Sequence, residues 1–421
     1  TWNVSGSWNA HEERWWAPAF GKAWTYASLK ASYSLTADRG PASNSLAVFQ
    51  SFTPWRPSTS ANESAIILAA LENSELTYEK KNELNIGVAL GFVDNRINVE
   101  FDWYRRNNFD LIGYTQTMGV GGVTTKLAND ATMESTGCEF TISTTNIKTK
   151  DFKWTTDWIF GWAENTITKL DSRSQVYSLV NGVGRTEGRP IGALYSIPFA
   201  GLTEEGLPTF FIDAEHTQVV GPGNYADIYF QEYENIDYLK YEGTIDPKIT
   251  GSFGNTFSWK GLKLNVFFTY SFGNVLRLDN LCPVYSSDYS DLTASMKEMK
   301  NRWMVPGDEN VTTIPSIPTV RQMREIDALS NAYSAYNYST ERVAKGDFIR
   351  LKELSLAYDL PKKYFEGQNA VSSFGVKLSA TNLWLAYADK KLNGRDPEYY
   401  NTGGVSSPVP RQFTLTVKLG F

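Results

Sequence analysis

Strict alternation of apolar and polar residues, repeated along most of the chain, constrains its fold more than any other feature. Between residues 96 and 104, the apolar members of one such run are Ile97, Val99, Phe101 and Trp103. A period of two residues places apolar and polar side chains on opposite faces of a β-strand. The same pattern recurs at 84–92, 262–270 and 413–421, and in shorter form at 152–160, 249–257 and 374–380. The sequence therefore predicts an all-β protein whose strands each have one apolar face.

The length of these runs separates two kinds of β protein. Strands of soluble proteins average about 5 to 6 residues. The alternating runs here are about 9 to 13 residues long, which suits tilted strands that cross the hydrocarbon core of a membrane. The pattern predicts about eleven strands. They lie near residues 1–10, 24–36, 79–92, 95–109, 133–146, 151–168, 245–258, 262–275, 346–359, 373–386 and 410–421.

The connections between these strands alternate between short and long. The short ones are 93–96, 146–151 and 259–261, with 361–372 intermediate; the long ones are 38–78, 110–132, 170–244, 274–346 and 387–410. Compact soluble domains rarely contain loops above about 12 to 15 residues, whereas outer-membrane barrels have short periplasmic turns and long extracellular loops. We therefore expect a transmembrane antiparallel β-barrel. The segment 189–211 is expected to add a hairpin within one long loop.

An odd number of strands has a further consequence. Complete bacterial barrels have an even number of strands and close on themselves. An unpaired strand edge in lipid leaves backbone groups without hydrogen-bond partners, at a cost of several kcal/mol for each group. We therefore expect residues 1–421 to be part of one barrel domain that another stretch of chain completes.

The alternation also predicts which side chains face the lipid. The apolar residues expected to do so include Val99, Phe101, Leu264 and Val266. The polar residues expected to face the barrel interior include Asn98, Glu100, Asp102 and Asn265. The last residue of the apolar register, Phe421, matches the terminal aromatic signature of many outer-membrane barrels, so its deletion is expected to impair assembly.

Aromatic residues make up 14% of the chain, which excludes a disordered protein. Those on strands are expected to face lipid or the membrane interface; they include Phe101, Trp103, Trp154, Trp158 and Phe268. A second group falls in the predicted outer loops. Its rings could bind a ligand or contact a partner, or they could pack the loops together. These candidate site residues are Trp55, Tyr285, Tyr289, Tyr333, Tyr336, Tyr338, Tyr399 and Tyr400.

Several kinds of function find little support. The formal net charge is -6, without a run of Lys or Arg, so nucleic acid is not an expected partner. The only histidines, His11 and His216, are too far apart in sequence for the usual zinc motifs and leave little material for a histidine-based triad. We therefore expect no enzyme activity and no cofactor. The two cysteines, Cys138 and Cys282, are interpreted as small apolar residues rather than as a metal or disulfide framework.

Three weaker kinds of motif also do not define a site. The glycines around Gly182 lack the GK[ST] ending of a phosphate-binding loop. Asp279, Asp288 and Asp291 offer the oxygen ligands that calcium prefers, but without EF-hand spacing. The acidic pairs Glu204–Glu205 and Asp396/Glu398 lie in turn-forming sequence, where carboxylates usually cap turns or face water. We expect none of these groups to be a catalytic or metal centre.

Short phrases in a fixed order carry a family resemblance. They are LKASYS at 29–34, LTYEKKNELNIG at 76–87, NRI at 95–97, DWYR at 102–105, STGCE at 135–139, EGRPIG at 187–192, GDFIRLK at 346–352, ATNL at 380–383 and PRQF at 410–413. In this order, the chain resembles the C-terminal part of the SusC/RagA family of TonB-dependent outer-membrane transporters.

The resemblance implies the C-terminal half of a barrel of about 22 strands, located in the outer membrane of a Gram-negative bacterium of the Bacteroidota type. It implies active import of oligomeric nutrients, with glycans favoured and oligopeptides as the alternative. The implied partners are a SusD-like surface lipoprotein as lid, TonB, and the plug and N-terminal barrel half of the same transporter. A passive porin or adhesin barrel, a soluble glycan-binding β protein and a barrel enzyme are the competing interpretations.

Overall fold

The computed structural model describes residues 1–421 except 22, 41–44, 54–63, 120–121, 282–296, 362–363, 365–370, 401–409 and 421. In the described residues the strands are β1 Trp2–Trp8, β2 Trp24–Asp38, β3 Val48–Phe52, β4 Ala65–Ala70, β5 Glu79–Phe92, β6 Ile97–Gln116, β7 Thr125–Lys148, β8 Phe152–Leu170, β9 Ala193–Ser196, β10 Phe199–Leu202, β11 Pro208–Phe211, β12 Val219–Val220, β13 Lys240–Thr244, β14 Ile249–Trp259, β15 Leu262–Phe272, β16 Val275–Arg277, β17 Val343–Lys345, β18 Phe348–Asp359, β19 Ser373–Ala388 and β20 Gln412–Gly420. The α-helices are α1 Trp16–Phe20, α2 Val176–Val180, α3 Val320–Glu325 and α4 Leu329–Asn337. No helix within these described residues is long and apolar enough to cross a membrane.

One antiparallel sheet of 11 strands dominates the structure, in the order β1-β2-β5-β6-β7-β8-β14-β15-β18-β19-β20. This order follows the chain, because the remaining strands belong to smaller sheets inserted in the connections. The predicted eleven strands and their antiparallel arrangement are therefore confirmed. β1 and β20 lie at the two ends of the sheet, and each pairs with a single neighbour in it.

The strand register sorts the side chains into two continuous faces. Val99 lies opposite Leu90 and Ile142, and Leu264 lies opposite Phe257 and Leu356. These pairs extend one apolar face across neighbouring strands, which is the outer face of the sheet. On the other, inner face, the pairs are polar or small, and the groups predicted to point inward, Asn98, Glu100, Asp102 and Asn265, all lie on it. The predicted alternation of faces is confirmed.

Tight turns join several strands at one end of the sheet. Asp94 and Asn95, between β5 and β6, have φ angles of 55° and 57°. This left-handed region is most accessible to Gly, Asn and Asp, which explains the predicted two-residue turn. Between β14 and β15, Gly261 has a φ of 90°. The long connections all lie at the opposite end. This separation matches the predicted short turns at the periplasmic end and long loops at the extracellular end.

One predicted loop is wrong. Residues 110–132 do not form a long connection, because β6 continues to Gln116 and β7 begins at Thr125. Polar residues interrupt the alternation in this region, since strands that extend beyond the membrane need no apolar face. The two strands instead remain paired through their backbones, with irregular register between Asn108 and Ile112. β6 and β7 are thus longer than the alternating pattern alone indicates.

The described residues of two long connections, 171–244 and 275–281 with 297–345, fold together into what we call the loop unit. Its small sheets pair β9 with β13, β11 with both β10 and β12, and β16 with β17. The predicted hairpin within 189–211 is present as β10 and β11. Side chains from both connections share one buried core, which includes Ile197, Phe210, Tyr225, Ala332 and Tyr336.

Candidate functional site

Two cavities lie along the inner face of the sheet. The larger, of about 420 Å³, is lined by Ser5, Gly6, Ser7, Lys30, Ala31, Ser32, Asn85, Gly87 and Asp102. A Cβ at Gly87 would lie 2.3 Å from the Asp102 Oδ1 atom, so a larger residue here would displace the Asp102 carboxylate. The small hydroxyl side chains leave a shallow groove with many hydrogen-bonding groups on the inner wall.

The second cavity, which we call the upper cavity, lies where the sheet meets the loop unit. Its volume is about 260 Å³, and it is lined by Tyr104, Arg106, Ser135, Ala163, Glu164, Asn165, Pro190, Thr244, Asp246, Pro247 and Lys248. The strands β6, β7 and β8 supply one side of it and the loop unit, with the residues that lead into β14, supplies the other. A ligand in this cavity would therefore touch both the barrel wall and the extracellular part of the chain.

Ion pairs hold the β6 side of the upper cavity in place. The Arg106 guanidinium lies over the Tyr104 ring, 4.1 Å from its centroid. Its Nε atom is 3.2 Å from the Glu83 Oε2 atom, and the Lys81 Nζ atom is 2.8 Å from the same oxygen. The Asn85 amide donates to the other carboxylate oxygen of Glu83 at 2.9 Å. The Arg106 side chain is thus oriented before any ligand binds.

The opposite side of the upper cavity is also charged. The Lys248 Nζ atom is 2.5 Å from the Glu164 Oε1 atom. With Arg106 and Asp246, the cavity lining contains two cationic and two anionic side chains, together with one phenol and one amide. Such a set can donate and accept hydrogen bonds without a strong preference for charge. It suits a polar ligand that is neutral or zwitterionic.

The loop unit encloses two of the predicted tyrosines. Tyr333 and Tyr336, both on α4, are 3% and 1% exposed. The Tyr333 hydroxyl donates to the Ser316 carbonyl at 2.7 Å, and the Tyr336 ring packs edge-on against Phe199 at 5.8 Å. The sequence left two kinds of role open for these rings, contact with a ligand or partner and packing of the loops. Their burial here is typical of packing. Both rings pack the loop unit in this conformation, and their role in substrate or lid contact stays a prediction.

Tyr338 lies at the edge of the same core and is half-buried. Its ring makes edge contacts with Tyr177 at 6.1 Å and Phe230 at 5.9 Å. Arg277 lies beside it and donates to the carbonyl oxygens of Ser339, Val180 and Tyr195. Burial of this guanidinium lowers the pKa of Arg277 to about 10. Arg277 therefore joins both connections of the loop unit through their backbones.

Tyr399 and Tyr400 belong to a segment that we call the strap, residues 389–400. The Tyr400 hydroxyl accepts from the Asp279 backbone N–H at 3.3 Å, and Asp279 forms an ion pair with Arg395. Both tyrosines are half-buried and so keep part of each ring accessible. The Asp279 carboxylate, a weak calcium candidate in the sequence, is thus paired with an arginine.

Other predicted residues fall outside the described part of the chain. They are Trp55, Tyr285, Tyr289, Asp288, Asp291, Cys282 and Phe421. Cys138 is a free, half-buried thiol opposite Trp103 on the outer face of the sheet. The roles assigned to the residues outside the described ranges stay predictions.

The residues of the upper cavity are not among the site residues that the sequence predicts. Tyr104 and Arg106 continue the inward register of β6 above Asp102, and Lys248 immediately precedes β14. The sequence does contain one signal for this site. Tyr104 and Arg106, an aromatic and a cationic residue, both have inward positions near the extracellular end of β6. That the loop unit covers them could not be read from the strand pattern, because the loop unit is distant in sequence from β6.

Comparison with known proteins gives a consistent result. No family model matches the chain. TonB-dependent receptor P3 of Formosa agariphila is 27% identical over 85% of this chain and 35% of its own length. TonB-dependent receptor P39 of the same organism is 23% identical over 90% of this chain and 38% of its own length. TonB-dependent receptor SusC of Bacteroides thetaiotaomicron is 34% identical over 99 residues. The chain thus spans little more than a third of the length of the receptors P3 and P39.

Solved structures agree with the sheet described above. The RagAB peptide transporter superposes over 100% of this chain and 43% of its own, with a TM-score of 0.73 and 22% identity. A second structure of it, in the closed-closed state, gives a TM-score of 0.74 at 23% identity. At this identity the likeness establishes the fold, which is that of an outer-membrane β-barrel.

The sheet, its polar inner face and the solved structures define the class of fold: the chain is a stretch of an outer-membrane β-barrel, and in sequence it is similar to TonB-dependent receptors. Within that class it is SusC/RagA-like, which confirms the resemblance in the order of its sequence phrases. Its location is accordingly the outer membrane.

Proposed function

We propose that the whole protein to which this chain belongs is an active importer of oligomeric nutrients, with a SusD-like surface lipoprotein as its lid. The upper cavity carries the proposal, since it places polar side chains of the barrel wall against the loop unit at the extracellular end. An oligomer captured outside the cell would meet this lining on its way into the barrel. The names of the curated relatives support dependence on TonB, which would act through the plug that precedes this barrel stretch in the whole protein.

Oligosaccharides are the proposed cargo. The lining of the upper cavity combines a phenol ring with guanidinium, amide and carboxylate groups. Planar polar side chains of this kind can form hydrogen bonds with the hydroxyls of a sugar, and the balanced charges do not require a charged ligand. The shallow groove further down the inner wall, rich in serine, offers similar contacts along the path.

Oligopeptides are the second candidate. The solved structures that superpose on the whole chain are of a peptide transporter, and a peptide backbone would use the same donors and acceptors. Purification of the full-length transporter with its lipoprotein from native membranes, followed by mass spectrometry of the released ligand, separates the two. Glycan ions support the proposed cargo, and peptide ions replace it with the alternative.

Active import itself needs a separate experiment. Uptake of the identified cargo should stop when the gene is deleted, and also when TonB is removed while the barrel remains in the membrane. Uptake that persists without TonB would indicate a passive porin. Normal growth on the cargo after deletion of the lipoprotein gene would contradict the role of the lid.

A further inference from the structure

The chain contains two Asn-Gly pairs in different surroundings. Asn393-Gly394 lies in the strap, and Asn181-Gly182 follows α2 in the loop unit. Asparagine is chemically labile, and most so before glycine, because no Cβ then hinders attack of the following backbone nitrogen on the asparagine Cγ atom. The reaction is favoured where that nitrogen has no hydrogen bond and the backbone around it has room to move. The two pairs differ on both points.

The pair in the strap is exposed, and its reacting nitrogen is free. Asn393 has a φ of 52° and Gly394 a φ of 83°, both in the left-handed region that Asn and Gly adopt most readily. The N–H groups of the flanking residues Asn393 and Arg395 donate to carbonyls of the strap, whereas the Gly394 N–H has no hydrogen-bond partner among the described residues. Apart from its two chain neighbours, no described atom would lie within 4 Å of a Cβ at Gly394. The backbone here can therefore rearrange without a clash.

The pair in the loop unit is held on every side. The Gly182 N–H donates to the Leu179 carbonyl at 3.2 Å, as part of the C-terminal cap of α2. The Asn181 side-chain amide donates to the Tyr177 carbonyl at 3.0 Å. Gly182 is buried, and a Cβ on it would lie 3.4 Å from the Leu194 Cδ1 atom. The same dipeptide is thus kept away from the geometry that the reaction needs.

The Asn393 side chain also carries a contact between the strap and the loop unit. Its amide donates to the Glu298 Oε1 atom at 2.9 Å, while the other oxygen of this carboxylate is paired with Arg342. Loss of the amide would remove the donor and would place a second carboxylate beside Glu298. Because like charges repel, the contact would change from attraction to repulsion.

We propose that Asn393 is a site of spontaneous deamidation, which loosens the strap from the loop unit. The Gly394 nitrogen forms a bond to the Asn393 Cγ atom, the Cγ–Nδ2 bond breaks, and ammonia leaves with the proton of the Gly394 nitrogen. The product is a cyclic imide. Water then adds to one of the two imide carbonyl carbons and breaks its bond to the Gly394 nitrogen, which leaves aspartate or isoaspartate. The net reaction consumes one water and releases one ammonia, so the modified fraction increases with the age of the protein.

The first test measures the chemistry. The full-length transporter, folded in lipid vesicles, is incubated in mildly alkaline H₂¹⁸O and then digested in ordinary water, so that heavy oxygen marks only the residues that deamidate in the folded protein. Mass spectrometry quantifies the peptides that contain residues 393 and 181, and electron-transfer fragmentation separates isoaspartate from aspartate. We expect heavy oxygen to accumulate at residue 393 and to stay at background at residue 181. No accumulation at residue 393, or equal accumulation at both, would overturn the proposal.

The second test measures the consequence for the strap. Cleavage within 389–400 by a protease of broad specificity is compared between freshly folded wild type, aged wild type and Asn393→Asp, which carries the product from the start. A segment that opens more often is cleaved faster. We expect faster cleavage in Asn393→Asp and in aged wild type than in fresh wild type. Cleavage of Asn393→Asp at the rate of fresh wild type would show that the modification does not loosen the strap.

Gly394→Asn is the matched control for ageing. Asparagine tolerates a positive φ, and its Cβ hinders ring closure at Asn393. We expect cleavage of this variant to stay unchanged with age, and heat-modifiable migration confirms that each variant has folded. An ageing effect as large as that of the wild type would assign the loosening to another site and overturn the proposal.

Discussion

Arg350, on the inner face of β18, forms an ion pair with Asp396 in the strap. Their side chains are 5% and 11% exposed, so both charges are largely removed from water. Glu398 adds a second carboxylate, with its Oε2 atom 3.2 Å from the Arg350 guanidinium. The strap also contacts the loop unit, where the Asn393 amide donates to Glu298 at 2.9 Å. The barrel wall and the loop unit are thus fastened to the same twelve-residue segment, 389–400.

Arg350→Met should release the strap from the barrel wall. Removal of one partner from a buried ion pair leaves the other charge uncompensated, at a cost of about 3 to 5 kcal/mol. We expect faster proteolytic cleavage within 389–400 in the folded, membrane-embedded protein. Lys352→Met is the control, because its Nζ atom is 4.0 Å from Glu398 and its side chain is more exposed. Equal cleavage rates in the two variants would show that Arg350 does not hold the strap.

Tyr336→Ala should loosen the loop unit and leave the barrel intact. Replacing a buried aromatic side chain by alanine typically costs about 3 to 5 kcal/mol, because it leaves a cavity. Hydrogen exchange of the amides in β9 to β11 should accelerate, whereas exchange in β14 and β15 should not change. Tyr229→Ala, at a tyrosine that is 56% exposed, is the matched control. Protection of β9 to β11 like that of the wild type would contradict a packing role for Tyr336.

Val266→Arg should impair assembly of the barrel in the membrane. An arginine on the lipid face costs about 2 to 4 kcal/mol near the bilayer midplane. Asn265→Arg places the same charge one residue earlier, on the inner face, and is expected to be tolerated. The folded fraction in each case is measured by heat-modifiable migration and urea titration in lipid vesicles. The assignment of faces would be wrong if Asn265→Arg were the more damaging change.

The conformation of the 303–311 turn should depend on pH. The Asp308 carboxylate accepts from the Met304 and Val305 backbone N–H groups at 2.9 and 3.0 Å, and these hydrogen bonds lower the pKa of Asp308 below 3.8. A lowered pKa in the folded state means that the carboxylate stabilises the turn above its ordinary pKa. This contribution is lost as the pH falls through the folded value.

The methyl resonance of ¹³C-labelled Met304 reports on this transition. We expect a change with a midpoint below pH 3.8, and its absence in Asp308→Asn. Glu309 also has a lowered pKa, since it accepts hydrogen bonds from backbone N–H groups and from the Trp303 indole, so Glu309→Gln serves to separate the two groups. A midpoint at or above the ordinary pKa would contradict the role of Asp308.

Strand positions could be predicted from the sequence because the membrane imposes them locally. Each residue of β6 up to Trp103 faces either lipid or the interior, so apolar and polar residues alternate along this part of the strand. Beyond Arg105 the lipid no longer constrains the outer face, so the residues that continue β6 to Gln116 do not alternate between apolar and polar. The burial of Tyr336 could not be predicted either, because its contact with Phe199 joins two connections that are separated in sequence by β14 and β15. Packing between distant connections has no period that a sequence displays.

Arg106→Gln should weaken cargo uptake if the upper cavity binds the cargo. The substitution removes a guanidinium that is held between Tyr104 and Glu83, and loss of one important contact costs about 1 to 3 kcal/mol in binding. We expect a higher half-saturation concentration for uptake, with an unchanged amount of folded transporter in the outer membrane. The neighbouring change Arg105→Gln is the control, because Arg105 lies on the opposite face of β6, where it pairs with Glu134 at 2.8 Å. If both variants take up the cargo like the wild type, the cavity is not on the transport path, and the accessible rings of Tyr399 and Tyr400 become the next residues to test.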